Sequence, residues 1–183
     1  MKIEADSVMS FPRRLVFETQ RDRMDAIAPY LKNVRSVRVD DRTEAGPVVE
    51  LVNVWEGKGS KIPEAIAHIV SQDMLVWRDR AVWNAEEWTC SWEIESDFFE
   101  DAVRCAGVIS YVQIDEERTR VETKGDLRID LKKKAPGLPA VLAGPLGPLG
   151  RLVEQFMVRQ ITQNLLGVSP GVSRYLEERG RTD

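Results

Sequence analysis

Chemistry has few places to come from in this sequence. There is one histidine, His68, and there are two cysteines, Cys90 and Cys105. Zinc sites built from several histidines are excluded, and so is the HExxH helix of metalloproteases. His68, Cys90 and Cys105 together could give at most three ligands, and their spacing matches no zinc motif. A Ser-His-Asp triad would have to use His68, and no GxSxG elbow is present. The Walker A pattern and the GxGxxG turn are also missing. No metal and no cofactor is expected.

What remains is acid–base chemistry by isolated groups, with Asp79, Tyr111 and His68 as the only candidates. Asp79 sits on the tryptophan side of an alternating segment. A carboxyl buried there would have a raised pKa and could act as a general acid or base. It could equally sit near a strand end in water. His68 falls off the Ile62/Ile66/Ile69 stripe, where a passive, partly exposed histidine is the plainer reading. Arg78, Arg80, Tyr111 and Gln113 could meet a ligand headgroup, although alternation against Trp77 puts Arg78 and Arg80 on the solvent face. Trp77, Trp83, Trp88 and Trp92 crowd two short segments. They are either core packing or the lining of a cavity. Cys90 and Cys105 read as small buried hydrophobes on neighbouring strands.

The elements that must position these groups follow from periodicity. Lys2 to Ser10 alternates weakly as a strand. Phe11-Pro12 opens a helix, with Ser10 as its N-cap, and Arg21 to Leu31 continues helically. The period then becomes two. Strands are expected at Val37–Asp40, Val48–Glu56, Met74–Asn84, Trp88–Ile94, Val103–Ile114 and Arg118–Leu131, with a turn at Glu44-Ala45-Gly46-Pro47. A short amphipathic helix falls at 62–70. The segment 135–150 is rich in proline and glycine yet apolar through Leu138, Val141, Leu142, Leu146 and Leu149. A long helix runs over 146–166, with Leu149, Leu152, Val153, Phe156, Met157, Ile161 and Leu165 as its stripe. Gly167 reads as its stop, and Ser169-Pro170 as the start of a short terminal helix.

The 183 residues, 43% hydrophobic and 31% charged with a net charge of −4, fit one domain spanning 1–183. The mild acidity argues against nucleic acid as a partner. No run of eighteen apolar residues occurs, and Glu4 and Asp6 stand where a signal peptide would be apolar. A cytoplasmic protein is expected. Seven Lys/Arg against three Asp/Glu fall between Arg118 and Lys134. The Lys132-Lys133-Lys134 run beside the apolar 135–150 loop suits either a solvated strand end or transient contact with an anionic membrane.

The order β-α-α-β-β-(α)-β-β-β-β-α is the helix-grip order. Phe11-Pro12-Arg13-Arg14-Leu15-Val16-Phe17, Pro29 to Val37, Trp77-Arg78-Asp79-Arg80 and the Gly-rich approach to the last helix resemble the START/Bet v 1-like superfamily of polyketide cyclase/dehydrase and lipid-transport proteins. That resemblance implies an α+β fold, a curved antiparallel sheet wrapped around a long C-terminal helix. It also implies a cavity between them for a hydrophobic small molecule, with the 135–150 loop as its gate. Trp77, Trp88, Cys90, Trp92, Cys105, Tyr111 and Leu127 from the sheet, with Leu152 and Phe156 from the helix, are the candidate lining. The expected function is binding or transport of a lipid-like or polyketide-like molecule. The alternatives are a cofactor-independent cyclase or dehydratase and a protein-interaction module on the same fold.

Overall fold

The computed structural model describes residues 1–59, 62–68, 70–96, 102–129 and 148–180. Alternating apolar residues become seven strands: β1 (Lys2–Met9), β2 (Val34–Ala45), β3 (Val48–Gly57), β4 (Val76–Asn84), β5 (Thr89–Glu95), β6 (Val103–Gln113) and β7 (Thr119–Ile129). They form one antiparallel sheet in the order β1-β7-β6-β5-β4-β3-β2. β2 to β7 make a meander, and β1 returns beside β7. Because β1 and β2 occupy opposite edges, the chain between them must cross the width of the sheet. It does so as α1 (Arg13–Asp22), α2 (Met24–Ile27) and a 3₁₀ turn at Ala28–Tyr30. α3 (Pro148–Arg179) covers the inner face. This is the expected helix-grip architecture.

Register fixes which residues face α3. One inner row runs Leu51, Ala81, Trp92, Gly107, Gly125, Ile3, and the next runs Val49, Trp83, Cys90, Ile109, Thr123, Ala5. The two glycines in the first row make room for Trp92. A Cβ on Gly107 would lie 2.5 Å from Trp92 Cζ2 and 2.3 Å from the Lys124 carbonyl oxygen. β2 is longer than its hydrophobic pattern, because residues 38–45 are exposed and, Val39 and Ala45 apart, polar. Two register shifts against β3, between Val34/Ser36 and Val39/Asp41, bend this edge. Gly46 takes φ +60° in the two-residue β2–β3 turn before Pro47, the pairing a type II′ hairpin favours.

Four expected details differ. Pro12, already extended at ψ 142°, caps α1 in place of Ser10, and its carbonyl accepts the Val16 N–H at 3.1 Å. The 62–70 helix is reduced to a 3₁₀ turn at Glu64–Ile66, followed by a second at Gln72–Leu75 that takes up the start of the Met74–Asn84 strand. Trp88 is not in β5. It occupies the preceding turn at φ +56°, an uncommon conformation for a bulky residue. There its carbonyl accepts the Tyr111 N–H at 2.9 Å.

The fourth difference is α3, which runs through Gly167 and Pro170 without a break. An interior proline costs about 3 kcal/mol, and here packing beyond it prevails. Val172, Tyr175 and Leu176 are buried. Gly171 lets the helix close on Leu31, whose Cδ2 would be 2.6 Å from an added Cβ. Tyr175 meets Tyr30 edge-on at 6.0 Å, and the Tyr30 hydroxyl donates to Glu178 at 2.5 Å. No helix among the described residues is long and apolar enough to cross a membrane. Lys132, Lys133, Lys134 and the 135–150 loop as far as Gly147 lie outside the described residues.

Candidate functional site

One end of the space between sheet and α3 is filled from α1. Val16, Phe17, Thr19 and Gln20 form its buried face. Phe17 packs edge-on against Trp83, Trp88 and Tyr111 with ring centroids 5.1–5.3 Å apart. Each such pair adds about 0.5–1.5 kcal/mol beyond area burial. The Arg13 guanidinium lies 4.2 Å over the Trp88 ring and seals the cluster from outside.

Beyond Phe17 a cavity of about 140 Å³ remains. Its sheet wall is Asn53 and Trp55 from β3, Trp77, Asp79 and Trp83 from β4, Cys90, Trp92 and Ile94 from β5, and Val103 and Ile109 from β6. Its helix wall is Val153, Phe156, Met157, Gln160, Ile161, Asn164, Leu165 and Val168, a repeat at i, i+3, i+4 along α3. Gln20 and Met24 close one side, and Val70, Met74 and Leu75 another. Trp55 and Trp77 stack on each other, 5.9 Å apart and 16° from parallel.

Asp79 is the one charged side chain in the described lining. It pairs across the sheet with Asn53 on one side and Ile94 on the other. Burial in this apolar wall pushes its carboxyl up to about 6. Asn53 and the Trp55 indole N–H pull the other way, though the indole N–H stops short of hydrogen-bond geometry. Other polar atoms of the lining are buried without partners: the indole nitrogens of Trp83 and Trp92, Gln20 Oε1, Asn164 Oδ1 and Ser96 Oγ. Burial raises both thiols, Cys90 well above its ordinary value and Cys105 to about 12, so each stays protonated. Among the described residues no group of three or more His, Cys, Asp or Glu could hold a metal.

The structure brings together Trp77, Asp79, Cys90, Trp92 and Phe156 in the cavity wall. It keeps the others apart. Trp88 and Tyr111 belong to the Phe17 cluster, and burial raises the Tyr111 phenol well above its ordinary value with its hydroxyl unpartnered. Cys105 and Leu127 are buried side by side in the Asp79 row of the sheet, outside the lining. Leu152 is 39% exposed, one position off the helix repeat. His68 is exposed in the turn after Glu64–Ile66, and Gln113 is exposed at the end of β6. Arg80 points outward and pairs with Glu95 at 2.8 Å.

Sequence pattern alone missed Asn53, Trp55, Gln20, Gln160 and Asn164. A signal existed for two pairs. Asn53 and Trp55 alternate inside an otherwise apolar strand, and Gln160 and Asn164 sit four apart beside the apolar stripe of α3. Gln20 carries none.

Three solved structures have a similar fold. The protein TTHA0849 from Thermus thermophilus is 17% identical, with a TM-score of 0.65 over 98% of this chain and 99% of that one. The Zhui aromatase/cyclase from Streptomyces sp. R1128 is 17% identical, with a TM-score of 0.63 over 96% and 95%. Norcoclaurine synthase from Thalictrum flavum, in complex with dopamine and hydroxybenzaldehyde, is 8% identical, with a TM-score of 0.58 over 97% and 87%. No family model matches the sequence, and no curated protein does. At such identities the likeness concerns fold. The seven-stranded curved sheet gripping one long helix, with short helices after the first strand, is the START/Bet v 1-like helix-grip fold.

Proposed function

We propose that this protein binds one hydrophobic small molecule, lipid-like or polyketide-like, between sheet and α3 and acts as its carrier. The supporting observation is the cavity itself, about 140 Å³ and walled mainly by tryptophan, leucine, isoleucine, valine and methionine. An apolar cavity of about 150 Å³ takes up benzene, so a ring-sized portion of a ligand fits this one. Trp55, Trp77, Trp83 and Trp92 line it, four of the five tryptophans of the chain. Intrinsic fluorescence therefore reports occupancy. Organic extraction of purified protein followed by mass spectrometry is expected to release a stoichiometric apolar molecule. Titration of the extracted protein with apolar aromatics is expected to quench fluorescence saturably. A protein that yields no ligand and shows no saturable quenching would overturn the reading.

A second reading is favoured by one observation. Asp79, brought to about 6 inside the cavity, is partly protonated near neutral pH and so suited to general acid–base catalysis. On this reading the protein is a cofactor-independent cyclase or dehydratase acting on a polyketide-like carbonyl compound. Tyr111 and His68 stand outside the lining, so the proton transfer falls to Asp79 alone. Asp79→Asn would then abolish turnover and leave binding within a few-fold. Unchanged turnover in that variant would remove this reading.

A further inference from the structure

The charge in this cavity has an unusual setting. Asp79 has Trp77 two residues along β4 on the same face. Trp55 is its diagonal neighbour across β3, and Trp92 its diagonal neighbour across β5. Diagonal cross-strand positions lie roughly 7–8 Å apart, within reach of aromatic side chains. Trp55 and Trp77, stacked on each other, thus stand next to the carboxyl, while the Trp92 ring extends from the other side over Gly107 and Gly125. The groups facing Asp79 are Asn53 on β3, Cys90 on β5 and Cys105 on β6, and both thiols stay protonated. No lysine, arginine or histidine belongs to the described lining. Two further lining atoms without partners, Gln20 Oε1 and Asn164 Oδ1, are acceptors.

The Asn53 amide and the Trp55 indole N–H turn weak positive edges to Asp79, but no full positive charge faces it in the described lining. Indole faces are negative by their quadrupole, amide oxygens are negative, and an ionised carboxyl is negative. A buried charge is ordinarily compensated by a partner. An anionic guest would be repelled, and a plain hydrocarbon would leave the carboxyl uncompensated. From this geometry we infer that the cavity selects a molecule with an apolar body and one organic cation, its ammonium group held at Asp79 beside the stacked rings of Trp55 and Trp77. The inference rests on the cavity being a ligand site, as proposed above, and adds the charge of the ligand. The unpaired N–H edges of Trp83 and Trp92 are donors, and they suit an acceptor elsewhere on the same molecule.

The test uses two probes that differ in one atom and one charge, phenyltrimethylammonium and tert-butylbenzene, with tryptophan fluorescence as readout. At pH 7.5 the cation is expected to bind the wild-type chain at least tenfold more tightly than its neutral isostere. At pH 5 Asp79 holds its proton in roughly nine molecules of ten, so affinity for the cation should fall about tenfold while that for tert-butylbenzene stays level or rises. Asp79→Asn should erase the preference at pH 7.5, with affinity for the cation falling about tenfold and that for tert-butylbenzene not falling. The wild-type pH profile gives the same answer should the variant fold poorly. Equal or tighter binding of tert-butylbenzene at pH 7.5 would overturn this inference and leave the cavity reading standing. A preference that survives both pH 5 and Asp79→Asn would also overturn it. If neither probe binds, the cavity reading fails and this inference fails with it.

Discussion

The Asp79 carboxyl should make the protein less stable at neutral pH than at pH 4.5, and replacing it should recover that loss. Its pKa rises from an ordinary 3.8 to about 6 on folding. Each tenfold change in acidity corresponds to about 1.4 kcal/mol, so the full effect is about 3 kcal/mol. Asp79 keeps some surface on the cavity, where water can screen it, and the realised figure is about 1.5–3 kcal/mol. The sign follows from proton uptake. Between 3.8 and 6 the folded chain holds a proton that the unfolded chain has released, so stability falls as pH rises through this window. The stabilising contribution is complete below 3.8 and gone above 6.

Urea denaturation of wild type and Asp79→Asn at intervals from pH 4.5 to 8 measures this directly. Other carboxyls shift the opposite way. Hydrogen bonds from Arg21 and Arg42 hold Asp22 low against its burial, and bonds from Arg38 and Arg118 hold Asp40 and Asp115 low. Their contribution is lost as pH falls. It is common to both proteins and cancels in the difference, since these groups share no contact with Asp79. At pH 4.5 the unfolded carboxyl has already released most of its proton, so only part of the full effect falls in this interval, and the variant should gain on the wild type by about 1–2 kcal/mol between pH 4.5 and 7.5. A difference that stays flat across this range would show that Asp79 ionises normally, and the argument for its isolation would collapse.

Other expectations follow from particular contacts. Gly107→Ala drives a Cβ into the Lys124 carbonyl and the Trp92 ring; chemical denaturation should show a loss of about 2–3 kcal/mol. Pro170→Ala restores an N–H for the Leu166 carbonyl at an exposed position of α3. The same measurement should show a gain of about 1–3 kcal/mol, unless the proline has set a bend that the packing of Tyr175 requires. Replacing Lys132, Lys133 and Lys134 together by alanine tests whether this run meets an anionic membrane or is a solvated strand end. In the membrane case, sedimentation with phosphatidylserine vesicles should fall at least tenfold, and equal binding by the two proteins would dismiss that contact.

The order of elements was legible because burial on one face imposes a period of two on every strand and of 3.6 on α3. Details set by other forces were not. Alternation shows β2 only over Val37–Asp40; residues 41–44 are polar on both faces, so nothing there signals a strand, and its partner β3 supplies the ladder. Trp88 continues the alternation of Cys90 and Trp92, yet its backbone has φ +56° and its ring turns to Phe17. Pattern cannot reveal a left-handed residue at a strand boundary. Gly167 and Pro170 punctuate the sequence but not the helix, because the apolar residues beyond them pack on α2 and the 3₁₀ turn. The candidate site was half visible for a related reason. Alternation says which face of the sheet is inward. It does not say where along that face Phe17 fills the space and where it leaves a gap. Tyr111 and Asp79 both point inward, and only the position of α1 separates a packed phenol from a cavity carboxyl.

That separation also locates what the fold sacrifices. Ion pairs such as Arg42 with Asp22 and Glu44, or Arg80 with Glu95, satisfy the charges at the surface. Of the ten buried side-chain polar atoms without a partner among the described residues, Arg13 Nε, Asn33 Oδ1, Tyr111 Oη and Thr162 Oγ1 lie apart and six gather in one place. A carboxyl with no cation in the described lining, the unbonded indole nitrogens of Trp55, Trp83 and Trp92, and the unbonded oxygens of Gln20, Ser96 and Asn164 all fall on one cavity. An unsatisfied buried polar group costs about 1–3 kcal/mol. Scattered through a core, such groups would be faults of packing. Concentrated around a single cavity, they support the ligand site proposed above. A leucine at position 79 would serve the sheet better, since it would remove the charge and fill the gap. The expected stability gain of Asp79→Asn and its expected loss of cation preference are therefore two measurements of one compromise. Together they separate a binding site from an imperfect core, because an imperfect core predicts the gain in stability without the loss of selectivity.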